Sequence, residues 1–146
     1  MRRFFSRFLF PLILFLSLAT GSSCGAKEIL YLEMGKETLA LEVSRTPEEH
    51  ERGLMGRTTL KENEGMIFFF DPPKFVSFWM KDTPIDLDIV FIDSSGKVFH
   101  VDSMKANSLD THPSLGLAAA AIELPRGALK RFGIGTGTEF VQLLRK

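Results

Sequence analysis

At 146 residues, 45% apolar and 25% charged, the chain has room for one domain with a proper core. Its formal net charge is zero, but Arg2, Arg3 and Arg7 sit in an N-terminal segment without acids, which leaves 15 basic against 18 acidic residues in the rest. That balance argues against a nucleic-acid partner, which needs a basic face. The single cysteine, Cys24, excludes an internal disulfide.

In chain order, the three arginines form a basic n-region, Phe8 to Ala19 an apolar h-region, and Thr20-Gly21-Ser22-Ser23 a small-residue stretch. This pattern predicts a secretory signal over residues 1–23, too short for a comfortable membrane span. Cys24 follows directly. It reads either as an unpaired thiol or part of a Cys-Gly-Ala cleavage site, or as a lipidated first residue, because Gly21-Ser22-Ser23-Cys24 resembles a relaxed bacterial lipobox with Gly21 where a strict one has Leu. The lipidated reading predicts a domain tethered to a membrane through Cys24 by a short segment, residues 24–27, and not embedded in it.

The domain is expected over residues 28–146. Lys27 to Met34 and Thr38 to Val43 read as strands joined by a Gly35-Lys36 hairpin loop. Thr46-Pro47-Glu48-Glu49 reads as a helix start, with Thr46 as N-cap, Pro47 in the first turn and Glu49 closing a capping box; Gly53 or Gly56 marks the end. Gly65 to Phe70, Phe75 to Met80 and Asp86 to Asp93 follow as strand-like runs cut by Asp71-Pro72-Pro73 and by a Lys-Asp-Thr-Pro turn. This central stretch holds the only tryptophan, Trp79.

A Ser94-Ser95-Gly96 turn then predicts a hairpin whose register decides which side chains share a face. With a bulged three-residue turn, Asp93 pairs with Lys97, Phe91 with Phe99, Ile89 with Val101 and Asp88 with Asp102. One face is then wholly apolar, and the other collects Asp86, Asp88, His100 and Asp102. Lys105 to Gly116 has loop composition, Leu117 to Leu124 is open to helix by its alanines, Pro125 to Phe132 reads as a short helix stopped by Gly133, and Thr138 to Leu144 as a last strand.

RGLMGR (Arg52 to Arg57), GMIFFF (Gly65 to Phe70), SFWMKDTPIDLDIVFID (Ser77 to Asp93) and IELPRG (Ile122 to Gly127) resemble, in order and spacing, the family called domain of unknown function 192. The resemblance covers roughly residues 28–144. It aligns Ile122 to Leu124 with an extended segment, which turns the alanine-rich run into an expected strand. It implies that Arg52, Trp79, Lys81 and Asp88 are shared residues and leaves the family's activity open. The fold expected is mainly β, a single antiparallel sandwich or partly closed barrel with two short helices.

Four groups of residues could carry chemistry. Asp86, Asp88, His100 and Asp102 could hold a cation, but a solvated outer face is the simpler reading, so neither metal nor cofactor is expected. Asp88, inside an apolar strand, is either a buried acceptor for backbone N–H groups or part of a site. Trp79, Lys81 and Arg52 offer an aromatic platform, a point cation and a planar guanidinium, which suit an anionic or sugar-like ligand; alternatively Trp79 fills the core while the cations pair with Asp88 or Glu123. Asp82 stands where the family commonly has Asn.

For a hydrolase, Ser77, Ser103 and Ser114 lack a nucleophile elbow, and His112 is the free-looking base. Met66, Met80 and Met104 read as core. The function expected is an exported, membrane-tethered, monomeric binding or accessory domain, with Arg52, Trp79, Lys81 and Asp88 around a polar pocket. Its partner would be a small polar or anionic ligand or an envelope protein. The alternatives are an enzyme acting on envelope carbohydrate or another small polar substrate, using Asp88 or His112, and a structural partner-binding module.

Overall fold

The computed structural model describes residues 27–144, so the expected signal segment and Cys24 lie outside the described residues. Strands β1 (Ile29–Met34) and β2 (Glu37–Ser44) form the expected hairpin, with Met34 opposite Glu37 across the Gly35-Lys36 loop. Helix α1 (Pro47–Arg52) starts as expected: Thr46 accepts from the Glu49 N–H, and the Glu49 carboxylate accepts in return from the Thr46 N–H. It ends at Gly53, whose φ of 47° is a left-handed value that a side chain would resist. No α1 residue is fully buried; the helix docks through half-buried His50, whose ring meets Phe70 at 5.1 Å, and through Leu54 just beyond it.

Strand β3 (Glu64–Lys74) does not stop at the two prolines, as the sequence suggests. It runs past them in an irregular stretch where pairing with β8 (Ala118–Pro125) lapses between Phe69 and Lys74, a place where prolines need donate no ladder hydrogen bond. The expected second run shrinks to β4 (Ser77–Phe78), which pairs with β7 (His112–Pro113) inside the otherwise irregular Lys105 to Gly116 segment. β5 (Leu87–Ile92) and β6 (Val98–Met104) complete a six-stranded sheet in the order β1-β2-β3-β8-β5-β6. β8 is the strand expected of the alanine-rich run, and small side chains suit its place between β3 and β5.

The domain is mainly β with two short helices, as expected, but β2 and β3 run parallel, so the sheet is mixed. It is open, with β1 and β6 at its edges. Thr138 to Leu144 is not a strand: Glu139 makes one bridge with Lys97, and Val141–Leu144 is a 3-10 turn. Buried Phe140 draws this segment into the core, while Thr138 and Gly137 exchange backbone hydrogen bonds with Val98 along the edge of β6.

The β5–β6 register is corrected. The turn forms as expected, with Asp93 N–H donating to the Lys97 carbonyl at 2.9 Å and Gly96 at φ 78°. An extra residue in β6 then shifts the pairing by one, so Phe91 faces His100, Val90 faces Val101, Ile89 faces Asp102 and Asp88 faces Ser103. The expected separation of an oily face from a wet one is unnecessary because both faces of the sheet are covered. Phe99 packs with the Phe91 side of the sheet, and His100 stacks on the Phe91 ring at 5.6 Å.

One face carries Leu41, Ile67, Val90 and Ile122 under α2 (Ala128–Phe132) and Phe140. The other carries Phe68, Ile89, Phe91 and Ala121 under Leu54, Met80 and the β4–β7 pair. Met66, Met80 and Met104 are core on this second face.

Candidate functional site

A side chain on β8 alternates between the two layers, and at one position the alternation sends a carboxyl into the second. Ile122 and Leu124 face α2, so Glu123 points the other way, between Met66 of β3 and Ile89 of β5. It is 4% exposed, and its Oε2 is buried without a hydrogen-bond partner among the described residues. Burial pushes the carboxyl up to about 8, so it is protonated at neutral pH.

Above Glu123 lies a cleft of about 350 Å³. Phe68, Phe70 and Phe78 form its aromatic walls, Arg52 and Gly53 one lip, and Trp79 the other. Gly53 comes close over the floor: a Cβ there would stand 3.8 Å from Glu123 Oε2 and 3.6 Å from Phe68. Trp79 is 45% exposed, so it walls the cleft, and Phe78 fills the core in its place, edge-on to Phe68 at 5.0 Å. His50 also lines the cleft, with Nε2 3.3 Å from the Ser44 carbonyl.

The four residues singled out by sequence do not form one site. Arg52 and Trp79 share the cleft. Lys81 is exposed, its Nζ 5.3 Å from the Trp79 ring, and is not among the residues lining the cleft. Asp88 lies on the opposite face of the sheet. It is 2% exposed and fully engaged: it accepts from the Ser103 hydroxyl at 2.7 Å and the Gly127 N–H at 2.8 Å, with Arg126 Nε 3.5 Å away. Of the two readings for Asp88, the buried acceptor is the one observed, and its cation is Arg126, not Arg52 or Lys81. Neither Arg52 nor Lys81 has a carboxylate within ion-pair distance among the described residues.

The expected polar face is also split, with Asp88 under α2 and with His100 and Asp102 on the cleft side of the sheet. Among the described residues no three His, Cys, Asp or Glu side chains come together to hold a metal. His112 is not free: its Nδ1 donates to Asp102 Oδ2 at 2.6 Å and its Nε2 is buried without a partner among the described residues. Ser103 and Ser114 donate to Asp88 and to the Gly116 carbonyl, so neither is poised against an imidazole.

Sequence reasoning missed Glu123 as a site residue and Gly53 as its cover. One signal was present: Glu123 is the lone charge in LAAAAIEL, and a carboxyl in such a run is buried with a purpose or misplaced.

The chain belongs to the domain of unknown function 192 family, described as an uncharacterized ACR, whose pattern matches residues 30–141. It is similar to the crystal structure of a protein of unknown function from Novosphingobium aromaticivorans DSM 12444, at 33% identity and TM-score 0.71, covering 76% of this chain and 83% of that one. It is likewise similar to a candidate transcription regulator from Sinorhizobium meliloti 1021, at 31% identity and TM-score 0.71, covering 78% of this chain and 92% of that one. No curated protein matches the chain.

Proposed function

We propose that this protein is an exported, lipid-anchored binding domain of the cell envelope that holds a small polar ligand in the cleft over Glu123. The observation that carries the binding reading is the buried Glu123 Oε2, which has no hydrogen-bond partner among the described residues, beneath aromatic walls. A buried polar group without a partner costs about 1–3 kcal/mol, and a domain with only a structural role would do better with an apolar residue there. Aromatic walls around a few convergent polar groups are the usual composition of a ligand site. Export and anchoring rest on Arg2, Arg3, Arg7, the apolar run from Phe8 to Ala19 and Cys24. Among the described residues no helix is long and apolar enough to cross a membrane.

Trp79 is the only tryptophan, so its fluorescence reports on the cleft. Titration with small sugars and sugar acids is expected to give a saturable change that Glu123→Ala abolishes. A flat response to every compound, together with unchanged amide shifts at Gly53 and Glu123 in NMR spectra, would remove the binding reading. Mass spectrometry of the mature N-terminus tests the anchor: acyl mass on Cys24 supports it, and an unmodified chain beginning after Cys24 overturns it.

An enzyme acting on envelope carbohydrate is the second reading, and one observation favours it. A carboxyl that stays protonated at neutral pH has the form of a general acid. Turnover of an envelope polysaccharide that is lost in Glu123→Gln would move the assignment from binding to catalysis. The transcription role attached to the Sinorhizobium relative finds no support in this chain's 15 basic against 18 acidic residues beyond the N-terminal segment.

A further inference from the structure

The cleft is chemically graded from floor to mouth, and that gradient narrows the ligand, given the binding reading above. At the floor, a protonated carboxyl offers one O–H donor beside a carbonyl acceptor, a pairing that suits a neutral oxygen such as a hydroxyl. The groups around it reinforce this. From the flanking strands Glu123 meets the side chains of Met66 and Ile89, both buried and apolar. The charged or titratable groups in the cleft lining are His50, Glu51 and Arg52 of α1 and Lys74 at the end of β3.

Two of those groups are permanent cations near the mouth. Arg52 is exposed and Lys74 Nζ lies 5.4 Å from the Phe70 ring; among the described residues neither has a carboxylate within ion-pair distance. Glu51, the one acidic residue in the lining besides Glu123, is exposed to solvent. An ammonium ligand would have to pass both cations to reach a floor that is uncharged, so the arrangement disfavours it. A guanidinium with no internal partner presents a planar fork to a carboxylate. Between floor and mouth, Phe68, Phe78 and Trp79 offer ring faces and edges against which the C–H faces of a sugar ring pack. A volume of about 350 Å³ suits an occupant of monosaccharide size.

We propose that the cleft is a site for a sugar acid, whose carboxylate is held by Arg52 and Lys74 at the mouth while a hydroxyl or ring oxygen accepts a hydrogen bond from Glu123 at the floor. Binding involves no covalent step. Because Glu123 loses its donor when it ionises, affinity falls as pH rises past the carboxyl's titration near 8.

The test titrates Trp79 fluorescence with glucuronate and galacturonate, and with glucose and galactose as neutral controls, at pH 7.5 and 9.0. At least one acid is expected to bind tenfold or more tightly than its neutral counterpart, and to weaken several-fold at the higher pH. Arg52→Gln, at an exposed position, should weaken the preference for the acid several-fold, and Arg52→Gln combined with Lys74→Gln should abolish it. Glu123→Gln keeps an N–H donor that cannot ionise, so it should bind equally at both pH values.

Neutral sugars binding as tightly as the acids would overturn this inference and leave the binding reading standing. No saturable response to any of the four would count against both. An acid preference whose pH dependence persists in Glu123→Gln would overturn the role of Glu123 as floor donor.

Discussion

Asp88 and Glu123 occupy adjacent strands of one sheet, point to opposite faces, and have opposite hydrogen-bonding states. Asp88 is saturated, and Glu123 Oε2 has no partner among the described residues. Asp88 also does for α2 what Gly127, without a side chain, cannot: its carboxylate accepts from the Gly127 N–H at 2.8 Å and the Leu129 N–H at 3.4 Å, capping the helix from a neighbouring strand. Asp88→Ala strands the Ser103 hydroxyl, two N–H groups and Arg126. It is expected to cost about 2–4 kcal/mol in urea denaturation while leaving the response of Trp79 to ligand unchanged in the remaining folded protein.

Glu123 makes stability depend on pH in the alkaline direction. Its folded carboxyl titrates near 8 against a reference of 4.5, so between those values the unfolded chain is ionised while the folded one holds its proton. Its contribution is therefore complete below about pH 4.5 and is lost as pH rises through 8. Glu123→Gln should flatten the fall in melting temperature between pH 5 and 9 and be the more stable protein at pH 8.5, by up to about 5 kcal/mol. Equal slopes for wild type and Glu123→Gln would show that the carboxyl is not buried in the protonated form.

Asp102 works the other way. Burial raises its pKa, but hydrogen bonds from His112 and the Ser103 N–H outweigh that and hold it below the reference 3.8. Its contribution is present above that value and is lost only as pH falls through the lowered one. Because the bond to His112 ties the β7 segment to β6, Asp102→Asn and His112→Phe should speed amide exchange at Phe78 and His112, whose strands pair, more than at Ile122. Uniform acceleration across the sheet would mean that the contact supports the whole domain instead.

Gly65→Ala is expected to be the most damaging single methyl in the sheet. A Cβ at Gly65 would lie 2.3 Å from the Glu123 carbonyl oxygen and 2.9 Å from Leu124 Cδ2, and the first of these is backbone that cannot rotate away. A loss of about 3–5 kcal/mol follows, read as a large drop in melting temperature by circular dichroism. Gly127→Ala, with no atom within 4 Å of the added methyl, tests the converse: its cost should be confined to the strain of φ 94°.

Elements whose cause is local were legible in the sequence. The Gly35-Lys36 loop, the Thr46–Glu49 capping box and the Gly133 stop are each fixed by residues a few positions apart, and each forms as expected. What escaped depends on contacts between distant segments. The extra residue in β6 is compatible with burial because the β4–β7 pair and Met80 cover that face, so a hairpin considered alone favoured the simpler register. Thr138 to Leu144 carries strand propensity, but Phe140 is drawn into the core under the sheet and breaks the run. Of the residues singled out for the site by their chemistry, Arg52 and Trp79 both line the cleft. Asp88 was separated from them because alternation along β5 sends it away from Leu87 and Ile89, and nothing local reveals which side of a doubly covered sheet holds the cleft.

The parallel pairing of β2 with β3 obliges the chain to leave the sheet at one end and cross over to the other before re-entering it, and the detour is the segment that carries Arg52 and Gly53. The roof over Glu123 is thus a by-product of strand topology rather than an added loop. Any chain that keeps this strand order must keep some such overpass, whatever its sequence, because β2 and β3 cannot pair in parallel without it.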